Sequence, residues 1–190
     1  MPTPAEAFAQ LLEILDRMEV PYLVVGSVAS SIHGITRPTL DADIVADLKL
    51  EQVDEFVSLV KTGFYADGQT IRAALACGRS FNLIHSATTF KIDFFPLRDD
   101  PYSRASFARR RFEHSESFGP DPIECAVATA EDTILRKLER YRAGGETSER
   151  QWNDLRGVLK VSGAQLDRAY LHQWALYLKV ADLLDRLFAE

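Results

Sequence analysis

Three aspartates stand where carboxylates are rare. Asp41 and Asp43 open the run Asp-Ala-Asp-Ile-Val-Ala, and Asp93 interrupts the apolar stretch Ile92-Asp93-Phe94-Phe95. In an extended strand residues i and i+2 share a face, so Asp41 and Asp43 point the same way. A carboxylate inside such a run is costly to bury unless it is paired or bound to a cation. Three of them on adjacent strands would repel one another and raise at least one pKa. A hard divalent cation turns the same set into an oxygen-ligand cluster, and Mg2+ favours carboxylates, water and substrate phosphates. Upstream, the apolar run Tyr22-Leu23-Val24-Val25 ends in Gly26-Ser27. A glycine at a strand-to-helix turn lets phosphate approach the backbone, where the helix N-terminus and the serine hydroxyl can donate to it. Together these groups suit phosphoryl-type transfer: two metal ions hold a nucleoside triphosphate, lower the pKa of an attacking hydroxyl and steady the leaving pyrophosphate.

Three further residues have two readings each. His33 contacts a nucleotide, or it complements the dipole at the end of its helix. Arg37 clamps phosphate, or it lies on the surface. Lys137 reaches a triphosphate from its helix, or it sits on a solvated face. Among other chemistries, a dinucleotide-binding turn fails because Ser-Val-Ala, not Gly-x-Gly-x-x-Gly, follows Gly26. A serine hydrolase fails because Ser27 lacks the Gly-x-Ser-x-Gly elbow. In a haloacid-dehalogenase-type phosphohydrolase the Asp-x-Asp pair ends a hydrophobic strand, whereas here Arg37-Pro38-Thr39 precedes it.

The elements that must position these residues are legible in outline. Thr3, Pro4 and Glu6 start a helix with a capping box, and an apolar stripe carries it to about residue 18. A strand over 22–25, a short helix over 27–33 with Gly34 behind it, a strand over 41–46 and an amphipathic helix over 50–60 follow. A helix over 71–76 precedes two strands, 81–85 and 90–95, joined as a hairpin through Ser86-Ala87-Thr88-Thr89. The stretch 97–122 carries no clear period. Helices are expected near 130–143, 148–161 and 165–188. The composition shift near residue 120 divides a mixed α/β part, 1–120, from a helical part, 121–190.

Composition narrows the function classes. The chain has 190 residues, of which 46% are hydrophobic and 26% charged, an ordinary globular balance that excludes a disordered or fibrous chain. Two cysteines without metal-ligand spacing argue against a disulfide scaffold or a zinc site and make a reducing cytoplasm the expected location. No membrane span or signal peptide is expected. A net charge of −6 argues against simple coating of nucleic acid or acidic membrane. The charge is uneven, however. Residues 1–60 hold three basic and ten acidic side chains, and basic clusters follow at 104–111 and 136–142. The first of these clusters is a candidate RNA or anion surface.

The order Val25-Gly26-Ser27, Asp41-Ala42-Asp43 and a later strand aspartate, Asp93, resembles the nucleotidyltransferase superfamily typified by DNA polymerase beta. The fuller pattern at Gly26, Ala29, His33, Gly34, Arg37, Thr39, Asp41 and Asp43 resembles small bacterial members, including the AbiEii-type toxins of type IV toxin–antitoxin systems. The strings 131–138 and 149–155 resemble helices that follow the core in those proteins, with Asp154 matching a helical acid. The resemblance implies an α/β (α+β) fold, a mixed sheet flanked by helices with a C-terminal helical region. It implies transfer of a nucleoside monophosphate from an NTP to a hydroxyl on tRNA, a protein or a small molecule, and an antitoxin as partner. It assigns two Mg2+ ions, or Mn2+, to Asp41, Asp43 and Asp93, and the triphosphate to Gly26 and Ser27 with Lys137 assisting; His33 and Arg37 are the further candidates for nucleotide binding. The rival expectation is an inactive module that keeps this fold and binds a nucleotide or a partner.

Overall fold

A computed structural model describes residues 2–36, 39, 41–117 and 122–190. Its first helix, α1 (Pro4–Arg17), begins as its residue types dictate. Thr3 Oγ1 accepts the Glu6 N–H, and the Glu6 carboxylate accepts the Thr3 N–H at 2.7 Å. The chain then forms β1 (Tyr22–Val25), α2 (Gly26–His33), β2 (Asp41–Ala46), α3 (Val53–Val60), β3 (Phe64–Tyr65), α4 (Gly68–Ala76), β4 (Phe81–His85) and β5 (Lys91–Pro96). Next come α5 (Pro101–Ala108), β6 (Arg111–Ser115), β7 (Ile123–Val127), α6 (Ala130–Ala143), α7 (Glu149–Ser162), α8 (Arg168–Tyr177) and α9 (Ala181–Phe188).

Among the described residues the strands make one sheet in the order β3-β4-β5-β2-β1-β7-β6. The pairs β2–β5 and β1–β7 are parallel and the others antiparallel, so the sheet is mixed. The central strands are two-faced. Ala42, Ile44, Ala46, Ile92 and Phe94 are buried on one face, in a core shared with α1 and α3. There the Phe94 ring stacks on Phe81 at 4.9 Å between centroids and packs against Phe56 at 5.6 Å. Leu23, Val25, Asp43, Val45, Asp93 and Phe95 occupy the other face by the two-residue period. A second apolar cluster joins Tyr102 of α5 to α6, α7, α8 and α9. Among the described residues no helix is long and apolar enough to cross a membrane.

Two departures from the sequence reading have local causes. The stretch without a clear period contains α5, capped by the Asp100 side chain with Pro101 at its first position, and the edge strand β6. The single helix expected over 165–188 is two, α8 and α9. Lys179 turns the chain at φ +59°, its N–H bonds the Leu176 carbonyl, and the Val180 N–H returns to Ala175 at 2.8 Å. This is a helix stop of the kind glycine usually makes, built here with lysine.

Candidate active site

Strand register brings the aspartates together. In the parallel pair β2–β5, Asp43 lies opposite Asp93 and Asp41 opposite Lys91. Paired strands run about 4.8 Å apart, so Asp43 and Asp93 are side by side on one face. Asp41 stands one pleat away, its Oδ1 accepting a hydrogen bond from Thr39 Oγ1 at 3.1 Å. The antiparallel pair β1–β2 sets Val25 opposite Asp43, so the chain leaves β1 beside that carboxylate. Gly26 makes the turn at φ +67°, and a Cβ there would stand 1.9 Å from Asp43 Oδ2. Ser27 follows in the first turn of α2, and Ser30 Oγ donates to the Gly26 carbonyl at 2.8 Å.

The electrostatics are those of a crowded acidic site beside cations. Asp43 is only 14% exposed, with Arg140 Nη2 at 3.8 Å from its Oδ1. Burial pushes its carboxyl above the usual range. Arg140 and Lys137 oppose that shift, and the Asp41 and Asp93 carboxylates add to it. Asp93 Oδ2 accepts from Lys91 Nζ at 2.7 Å. Among the described residues no three His, Cys, Asp or Glu side chains converge as a ready metal cage. The donor set suits a hard divalent cation in kind: it is all oxygen, it comes from two adjacent strands, and one carboxyl is already raised by burial, with the neighbouring carboxylates adding to the shift. Lys91 covers one of the two Asp93 carboxylate oxygens.

A cleft of about 310 Å3 runs from Gly26 along this face of the sheet. Val25, Val45 and Phe95 floor it, and Arg136, Lys137 and Arg140 of α6 wall it. Lys137 is not on a solvated face. It is 7% exposed, and its Nζ lies 2.7 Å from Asp154 Oδ2 of α7. Arg140, whose guanidinium also sits over the Phe95 ring, was not singled out from sequence. The signal was there, since positions three apart on a helix share a face and Lys137 is three before Arg140. The N-terminus of α6 is fixed by Asp132, fully buried, whose carboxylate accepts from Thr129 Oγ1 at 3.0 Å and Tyr170 Oη at 2.9 Å.

His33 is placed elsewhere. It ends α2, about 10 Å along the axis from Gly26 at 1.5 Å per residue. Its Nε2 donates to the Ala128 carbonyl at 2.6 Å, and its own carbonyl accepts from Ser162 Oγ at 2.7 Å. It thus ties α2 to the start of the helical half. Arg37 lies outside the described residues. In the basic cluster at 104–111, Arg104 pairs with Asp99, and Arg109 bonds Glu131 at 3.2 Å beneath the Tyr170 ring. Arg110 bonds the Phe107 carbonyl. Three of these four arginines therefore serve intramolecular contacts.

No family model matches the chain, and no curated protein matches it in sequence. Solved structures do match it in shape. The solution structure of the antibiotic-resistance factor ANT(2'')-Ia superposes over 100% of both chains with a TM-score of 0.53 at 14% identity. A nucleotidyltransferase-like protein from Paracoccidioides brasiliensis gives 0.52 at 14% identity, covering 97% of this chain and 92% of its own. The lincosamide adenylyltransferase LnuA, solved with lincomycin, gives 0.50 at 13% identity, covering 82% of this chain and 96% of its own. At such identities the likeness is one of architecture, and the chain has the nucleotidyltransferase fold.

Proposed function

We propose that this protein is a metal-dependent nucleotidyltransferase that moves a nucleoside monophosphate from an NTP to an acceptor hydroxyl and releases pyrophosphate. The observation that carries the reading is the pairing of Asp43 with Asp93 in register beside the Gly26 turn. Asp41, Asp43 and Asp93 would hold Mg2+ or Mn2+. Bound there, the metal ions would neutralise triphosphate charge and acidify the acceptor hydroxyl. The protein's own groups would do the rest. The Gly26-Ser27 turn receives phosphate oxygens, and Asp93 orients the acceptor. Arg140 and Lys137 supply positive charge on the cleft wall.

The cleft has room for a base or a small acceptor and has a cationic wall. Lincomycin appears with LnuA and adenylyl-tobramycin with ANT(2'')-Ia, so small-molecule acceptors occur among proteins of this shape. A tRNA or protein acceptor, a toxin role and an antitoxin partner rest on the sequence resemblance alone.

The test is incubation with each labelled NTP, Mg2+ or Mn2+ and a cell extract. Label transferred to RNA, protein or a metabolite names the acceptor, and Asp43→Asn should abolish it. An inactive binding module would instead show no transfer with any NTP, and nucleotide binding unchanged by Asp43→Asn.

A further inference from the structure

We infer that Lys91 is the built-in counter-cation of the acidic cluster, and that a divalent metal must displace it from Asp93 to bind. The inference rests on the reading of the three aspartates as metal ligands.

The argument begins with register. Lys91 and Asp93 are two apart on β5 and share a face, and Lys91 lies opposite Asp41 on β2. Its ammonium therefore enters the cluster from the strand that carries Asp93, with Asp41 across from it. It makes a short contact, 2.7 Å to Asp93 Oδ2, whereas Arg140 of α6 reaches Asp43 only at 3.8 Å. Among the described residues Asp93 thus has the closest cationic partner of the cluster, and it is the ligand the metal needs from the second strand. The Lys91 side chain is 42% exposed, so its four-carbon stem has room to swing aside while the strand keeps its backbone within reach. A single charge on a tether then competes with a double charge from solution for the same oxygen.

Ion pairs at exposed sites are ordinarily weak. This one differs because the oxygen it covers has a second claimant. Replacing Lys91 by a neutral side chain removes both the competitor and a like charge next to the incoming cation. Both effects tighten metal binding.

The experiment is calorimetric titration of Mn2+ into the full chain, without nucleotide, comparing wild type, Lys91→Met, Lys91→Arg and Asp93→Asn. Circular dichroism melting serves as the folding control. Lys91→Met should bind Mn2+ about fivefold to tenfold more tightly, from loss of one partly screened like charge. Lys91→Arg, which keeps the charge, should stay within about twofold of wild type by the same reasoning. Affinity in Lys91→Met equal to or weaker than wild type overturns the inference. If that happens while wild type binds Mn2+ and Asp93→Asn loses it, the carboxylate reading stands and only the role of Lys91 fails. If neither wild type nor Lys91→Met takes up Mn2+, the carboxylate reading falls and this inference falls with it.

Discussion

Lys137 Nζ and Asp154 Oδ2 stand 2.7 Å apart across the α6–α7 packing, with both side chains almost wholly out of water. Removing one member of such a pair leaves a buried charge without its opposite, which is far costlier than removing both. Asp154→Asn should therefore lower stability by about 3 kcal/mol. The double variant Lys137→Met/Asp154→Leu should recover most of that loss in a urea unfolding series. A double variant as unstable as the single would show that the pair does not act as a unit.

Gly26 and Asp43 are matched by space. The turn needs a left-handed backbone, and its α-carbon backs onto the carboxylate. Gly26→Ala should cost about 2 kcal/mol, the left-handed penalty plus a displaced aspartate. In an Asp43→Ala background the same substitution should cost measurably less, because the atom it strikes is gone. Equal costs in the two backgrounds, by thermal unfolding, would sever the proposed coupling.

Asp43→Asn should separate activity from stability. Burial is the chief reason the wild-type carboxyl is raised, with Asp41 and Asp93 adding to it, so a neutral isostere is cheaper to bury. Turnover should vanish while Tm at pH 7 without metal stays level or rises. A fall of several degrees would mean that the carboxylate braces the fold.

At the chain's last helix, Arg156 and the Trp152 indole N–H hold the Glu190 carboxyl down to about 2 from its ordinary 4.5. A carboxyl lowered in the folded state stabilises it above its unfolded pKa, and that help is lost as pH falls toward the folded value. The Tm gap between wild type and Glu190→Gln should hold steady above about pH 5 and close as pH falls from 4.5 to 2. A gap independent of pH would place the contribution in packing.

Much of this was legible because the relevant signals are short-range. The capping box at Thr3 and Glu6, the glycine after β1 and the period-two placement of Asp41, Asp43 and Asp93 read directly from neighbours in sequence. The adjacency of Asp43 and Asp93 needed the register of two strands some fifty residues apart, which pattern alone suggested but could not set. Lys91, two residues from Asp93 on one strand, was readable as its ion-pair partner; that it also faces Asp41 across the sheet was not, because no local window contains both. The break between α8 and α9 hid behind Lys179, where a glycine would have announced it. His33 had a local and a functional reading, and its hydrogen bond to Ala128 is a contact between distant segments.

The seventh strand carries a last consequence. Because β7 lies against β1, the sheet is sewn shut by chain that arrives only after residue 122. A fragment ending before it would offer β1 as a bare edge in the middle of the fold, a template for pairing with other copies. On a ribosome the first half must therefore wait for its final seam before the floor of the cleft is safe from aggregation.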